Sequence, residues 1–359
     1  MPFSRSDQQP GARVLFLLAA LVVVVYGVKY AAPVLVPTAM ALFLAILSLP
    51  VMMFLRRRRV PGWLAITVSI LLNVGVFGLL LLLAGGSAAQ FQERLPEYAE
   101  SLNALELIFI RDLEGRTGLA LSEQMGPGLL NPAVVVEMAR RVVGYSVQFV
   151  ATTVFVFIVM SFMLNEAVVF PDKLAFLRGG QATINPRFHR VVSEVQSYLR
   201  IKTAVSATIG LILGLWCWYM ELDFPVLLGM TAFILHFIPT VGSIIAAVPA
   251  VLLSLVIYGS PAHALAVGAG YLTVNMLLGN ILEPHLQGHR LNLSTVVVVL
   301  SLLFWGWAWG PVGALLSVPL TNMVKIWLEN TQDLRWIAVL LNSGAPKPRE
   351  ADGPQPETI

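Results

Sequence analysis

The chain has 359 residues, 57% of them hydrophobic and only 12% charged, with a mean hydropathy of +0.78. A soluble domain carries about 25% charged residues, so this composition excludes a water-soluble protein of this size and points to the lipid bilayer. The net charge of +3 does not indicate nucleic acid, because basic residues gather beside apolar runs, most visibly Arg56 to Arg59, as an orientation signal does. The lone cysteine, Cys217, has no intrachain partner and fits no metal-site spacing.

Residues 1–86 hold three predicted spans. Val14 to Tyr30 follows Arg5 and Arg13 but lacks a small-residue cleavage pattern, so it reads as a retained helix rather than a signal peptide. Pro33 to Leu55 is the second span, and Arg56 to Arg59 mark its cytoplasmic end. Trp63 to Ala84 is the third, expected to end at Gly85 and Gly86. Residues 87–145 change character: acidic residues outnumber basic ones, and Leu95, Tyr98, Leu102, Leu105 and Ile108 recur at helical spacing. They predict an amphipathic extracytoplasmic helical insertion, either outside the bilayer or on its surface. Segment 146–169 carries the fourth span, Val147 to Leu164. Segment 170–202 reads as a basic cytoplasmic connector, with Lys173, Arg178, Arg187, Arg190, Arg200 and Lys202.

Residues 203–330 form the predicted transport core. The fifth span, Thr203 to Met220, exits beside Glu221 and Asp223. Two long apolar stretches, Phe224 to Ser260 and Ser294 to Leu328, are each broken mid-way, at Ile238-Pro239-Thr240-Val241-Gly242-Ser243 and at Trp309-Gly310-Pro311-Val312-Gly313-Ala314. Each then reaches another proline, Pro249 and Pro319. A span needs roughly 20 apolar residues, so each stretch is long for one crossing while its halves are short. Paired interruptions of this kind are the best sequence pointer to a secondary transporter's substrate site. Two arrangements remain open: long kinked spans, or re-entrant hairpins that enter from opposite sides and make an inverted repeat. Lys325 and Arg335 place the far end in the cytoplasm under either, so both termini are expected there. Residues 331–359 then form a cytoplasmic tail, proline-rich and disordered beyond Asn342. The fold class is thus all-α and polytopic, with about eight hydrophobic elements.

Candidate site residues follow from the breaks. Proline removes a backbone donor and glycine permits positive φ or close approach; the freed backbone groups must be buried in protein or line a wet cavity. The substrate-binding or gating candidates are His236, Pro239, Thr240, Gly242 and Ser243 at the first break, and Pro311, Gly313 and Pro319 at the second. Asn275, Asn280 and Glu283 join them at the next helical end, since an ionisable group at a membrane boundary is a functional candidate. Pairing of Glu283 with Arg290 is the structural alternative. Pro284 and Gly288 argue against a His285–His289 metal pair, and no metal or cofactor is expected. Trp305, Trp307 and Trp309 read as part of an interfacial aromatic belt.

His236-Phe237-Ile238-Pro239-Thr240-Val241-Gly242, Asn280-Ile281-Leu282-Glu283-Pro284 with Gly288, Phe304 to Gly313, and Val318-Pro319 together resemble the autoinducer-2 exporter family of bacterial membrane proteins. The match in order and spacing runs from Tyr198 to Trp327; the N-terminal half resembles the family only in layout. The resemblance implies a multi-pass secondary transporter of the bacterial inner membrane that exports a small polar solute such as autoinducer-2. Other members are described as exchanging sodium or lithium for protons, so a monovalent cation/proton antiporter is the alternative, with Glu283 as its carboxylate. A non-transporting membrane scaffold is a third reading. The expected partners are the lipid bilayer and the transported solute or cation, without nucleic acid, and a homo-oligomer is left open. No Walker A, His-Glu-x-x-His or Gly-x-Ser-x-Gly pattern suggests an enzyme.

Overall fold

The computed structural model describes residues 10–117, 152–169, 173, 176, 186–287, 293–331 and 335–342. Its elements are helices: α1 (Pro10–Tyr30), α2 (Ala32–Arg57), α3 (Gly62–Thr117), α4 (Thr152–Val169), α5 (Pro186–Tyr219), α6 (Pro225–Leu235), α7 (Val241–Tyr258), α8 (Pro261–Gln287), α9 (Thr295–Asn330) and α10 (Arg335–Leu340). One isolated antiparallel bridge joins Leu293 to Asn342. Seven of the helical segments are long and apolar enough to cross a membrane; α6 is shorter, with 11 residues.

Local sequence sets the turns. Proline opens α6 and α8 as their first residue, where the missing N–H costs nothing. Gly259, at φ 60°, ends α7, and the Ser260 hydroxyl accepts from the His263 N–H to cap α8. Gly85 and Gly86, by contrast, do not end α3, which runs on unbroken to Thr117. A glycine costs a helix only about 1 kcal/mol relative to alanine, and the flanking apolar and amphipathic sequence carries the helix through. α3 therefore joins the third span to the beginning of the predicted insertion as one rod; the rest of that insertion lies outside the described residues.

Both long stretches fold back on themselves. Phe224 to Ser260 starts and finishes at one end of the molecule, because the Tyr258 hydroxyl donates to the Glu221 carbonyl at 3.0 Å. In Ser294 to Leu328 the Trp305 indole donates to the Thr321 hydroxyl at 3.0 Å, across a backbone break at Gly310. Sixteen residues of straight helix would separate those two positions by about 24 Å. The α6–α7 and α9 hairpins point in opposite directions: the first opens from the Glu221 end, while the second opens from the end where α8 finishes, its tip reaching Val28 at the end of α1.

α5 is the spine. Val205, Ile209, Leu213 and Cys217 pack with Leu228, Ala232, Ala246, Ala250, Val267 and Tyr271 of hairpin 1 and α8. Val195, Tyr198 and Leu199 pack instead with Phe43 and Ile46 of α2 and with Leu316, Val318 and Leu320 of hairpin 2. A third cluster ties α2, α3 and α4 together. Lys202 stands on α5 between the first two clusters.

Candidate functional site

Where α5 changes partners, three charged or polar side chains from three elements meet. Lys202 (α5), His236 (the end of α6) and Glu283 (α8) are 4%, 8% and 9% exposed. Lys202 Nζ donates to both Glu283 oxygens, at 2.9 and 3.1 Å. His236 Nε2 lies 3.0 Å from Glu283 Oε2, and the Gln287 amide donates to Oε1 at 2.8 Å. Because an ionised carboxylate only accepts, His236 donates here from Nε2. The carboxylate's two oxygens thus receive four hydrogen bonds, about all that they can take.

The chain is shaped to bring these groups together. α6 stops after 11 residues, placing His236 at an interior helix end. α8 departs from α-helical pairing over Asn275–Leu282, which forms a π-helix. Such segments are rare and frequent at functional sites. The imidazole lies against Gly279 of this segment, where an added Cβ would sit 3.1 Å from His236 Cε1. The π-helix then hands over directly to Glu283.

The first tip, Phe237 to Thr240, is held by its own backbone: Ile238 N donates to Leu235 O, and Gly242 N to Ile238 O. Thr240 adopts φ 58° and ψ −51°, a positive-φ conformation outside the left-handed helical region and rare for a β-branched residue. Its hydroxyl donates to the Pro239 carbonyl, which also accepts from the Val241 N–H, and the Ser243 hydroxyl donates to the Thr240 carbonyl. A Cβ on Gly242 would collide with the Leu235 carbonyl. At the second tip Gly310 makes the turn, at φ 67° and ψ −151°, a region that is essentially glycine-only. A Cβ on Gly313 would collide with the Trp305 carbonyl.

A family model for AI-2E family transporters matches residues 17–333. The chain belongs to the AI-2E transporter family. It is 36% identical over 334 residues to a protein of Escherichia coli named AI-2 transport protein TqsA, covering 92% of this chain and 96% of that one. It is 35% identical over 340 residues to the putative transport protein YhhT of Escherichia coli, covering 94% and 97%. A putative transport protein of Haemophilus influenzae is 36% identical over 339 residues, covering 92% and 96%. This AI-2E family member is thus a multi-pass membrane transporter, and its buried cluster and paired hairpins fall within the matched span.

Of the predicted residues, His236 and Glu283 meet; Gly279, which the sequence reading did not single out, lies against the His236 ring. Pro239, Thr240, Gly242 and Ser243 form the first tip one turn away, and Pro311 and Gly313 follow Gly310 at the second. Pro319 is fully buried in the returning limb of α9. Asn275 is half-buried and donates to the Tyr271 carbonyl, while Asn280 is exposed, so neither enters the cluster. Arg290, the expected partner of Glu283, lies outside the described residues, as does His289. Glu283 pairs with Lys202 instead, a residue that reads as a loop cation in the sequence. The signal for Lys202 was its position: α5 needs it to complete a crossing of about 20 residues ending at Tyr219. The rings of Trp305 and Trp309 pack at a tilt with 4.8 Å between their centres, Trp309 donates to the Val28 carbonyl, and Lys29 sits 3.7 Å above the Trp307 ring, so together they seat the second tip against α1.

Proposed function

We propose that this chain exports a small polar solute of the autoinducer-2 kind across the bacterial inner membrane by alternating access, without ATP chemistry of its own. The observation that carries this reading is the pair of oppositely directed hairpins, each broken mid-way, with a buried polar cluster at the tip of the first. Hairpins related in this way let a fixed site be reached first from one face and then from the other. Arg56 to Arg59 and Lys202 lie towards one end and Glu221 and Asp223 towards the other, which supports a cytoplasmic placing of the Arg57 end and of both termini. The substrate class rests on the name of the relative that covers nearly the whole chain.

Saturation of Glu283 by Lys202, His236 and Gln287 favours this reading over sodium or lithium exchange, because a cation would have to displace a bound ammonium. Purified protein in proteoliposomes tests the proposal. Autoinducer-2 loaded on one side is expected to accelerate exchange of labelled autoinducer-2 from the other. Exchange no faster than in protein-free vesicles, together with a sodium- or lithium-driven pH change, would overturn it.

A further inference from the structure

Glu283 uses all of its acceptor capacity, and Lys202 is already paired with it. His236 differs: Nε2 is committed to Glu283, but among the described residues Nδ1 makes no hydrogen bond. We infer that His236 Nδ1 is the proton-binding site that couples a proton to solute movement, with a proton entering as one solute leaves. The inference rests on the transport reading above and assigns it a coupling ion and an atom.

The step is a simple protonation. A proton adds to the Nδ1 lone pair, imidazole becomes imidazolium, and the cluster passes from neutral (one ammonium, one carboxylate) to a net charge of one. The titratable groups facing His236 from the packed elements are Glu283 on α8 and Lys202 on α5, with the Tyr198 phenol of α5 near Glu283. Among the described residues no second carboxylate faces the pair, so two buried cations would then share one anion. An uncompensated buried charge is strongly unfavourable, and the strain is relieved only by admitting water or separating the elements.

The fold decides where that separation occurs. α6 is locked to α5, since an added Cβ on Gly229 would meet the Gly210 carbonyl at 2.6 Å and Gly214 Cα at 3.0 Å. α7 is instead joined to α8, through Ser254 to His263 at 2.8 Å and the Tyr258–His263 stack at 4.1 Å. α8 is also tied to α5, through the Cys217–Tyr271 contact and Trp216 against Gly270, so the helices stay packed and the give falls at the tip. His236 sits at the end of α6, immediately before the tip that leads into α7. Protonation there opens the first tip to water.

His236→Gln keeps an N–H donor for Glu283 but cannot take up a proton. In proteoliposomes the wild type is expected to move protons inward as autoinducer-2 moves out, and His236→Gln to lower the ratio of proton flux to solute flux at least tenfold. Solute exchange without proton movement in the wild type, or an unchanged flux ratio in the variant, overturns the inference while leaving the transport reading intact. A second arm needs no solute. In a Cys217→Ser background, Ser243→Cys reports access to the tip through its rate of thiol labelling. As the pH is lowered from about 8 to about 5, the labelling rate relative to the same protein carrying His236→Gln is expected to rise at least fivefold. Parallel pH profiles for the two proteins overturn the inference even if autoinducer-2 proves to be the wrong solute.

Discussion

The two hairpins carry similar breaks yet solve the same backbone problem differently. Hairpin 2 turns on Gly310, whose φ of 67° suits glycine, and packs its tip with two contacting tryptophans against α1. Hairpin 1 turns through Thr240 at φ 58°, a conformation that its branched side chain disfavours, and ends on a histidine tied to a buried carboxylate. One tip is a relaxed, apolar wedge; the other is strained and charged. Strain and buried charge are features that a small event can tip, so hairpin 1 has the chemistry of a moving part and hairpin 2 that of its abutment.

The largest effects should come where the hairpins are alike. Gly242→Val and Gly313→Val each drive a side chain into a carbonyl, of Leu235 and Trp305 respectively, so both are expected to abolish solute exchange in proteoliposomes. Full activity in either variant would show that its break is incidental.

Next comes the charge that only hairpin 1 touches. Glu283→Gln strands the Lys202 ammonium at 4% exposure, and breaking a buried pair costs about 3–5 kcal/mol. A large drop in the thermal midpoint of the purified protein is expected, with part of it recovered by adding Lys202→Met. A single variant as stable as the wild type would mean that the ammonium finds another partner.

The tip conformations can be exchanged. Thr240→Gly is expected to raise the thermal midpoint and Gly310→Thr to lower it, since each disfavoured conformation costs about 1–3 kcal/mol. Shifts of the same sign would erase the contrast between the tips.

The smallest effect concerns the mouth of hairpin 1, where Tyr98 and Arg94 of α3 both donate to Asp223, at 2.6 and 2.8 Å. Tyr98→Phe should cost about 0.5–1.5 kcal/mol. Burial first, and then the bond to Asp223, raise the Tyr98 phenol above its ordinary 10.0. A raised phenol contributes its full stability below about pH 10 and loses it only as the pH climbs through the raised value. The difference between Tyr98→Phe and wild type should therefore be flat across the physiological range; a difference that vanishes near neutral pH would refute this.

The sequence was most legible where chemistry is local. Proline and glycine mark both breaks, because each residue type acts on its own backbone, and the eight hydrophobic elements follow from run lengths. Whether the stretches cross or return was not legible, since this depends on contacts such as Tyr258 with Glu221 and Trp305 with Thr321, the first joining residues 37 positions apart. Lys202 was misread for the same reason: its neutralising partner is 81 residues away. Gly85-Gly86 misled in the other direction, because a local propensity cost was overruled by the apolar sequence on both sides.

α3 extends that last point into mechanics. Its 56 residues make a rod about 84 Å long, and Tyr98 and Arg94 pin it to the mouth of hairpin 1 with 19 residues still to run to Thr117. That remaining arm is about 28 Å long. A tilt of about 10° at the pin would sweep its far end through about 5 Å, so a small rocking at the mouth of the hairpin is geared up into a displacement the size of a whole helical turn.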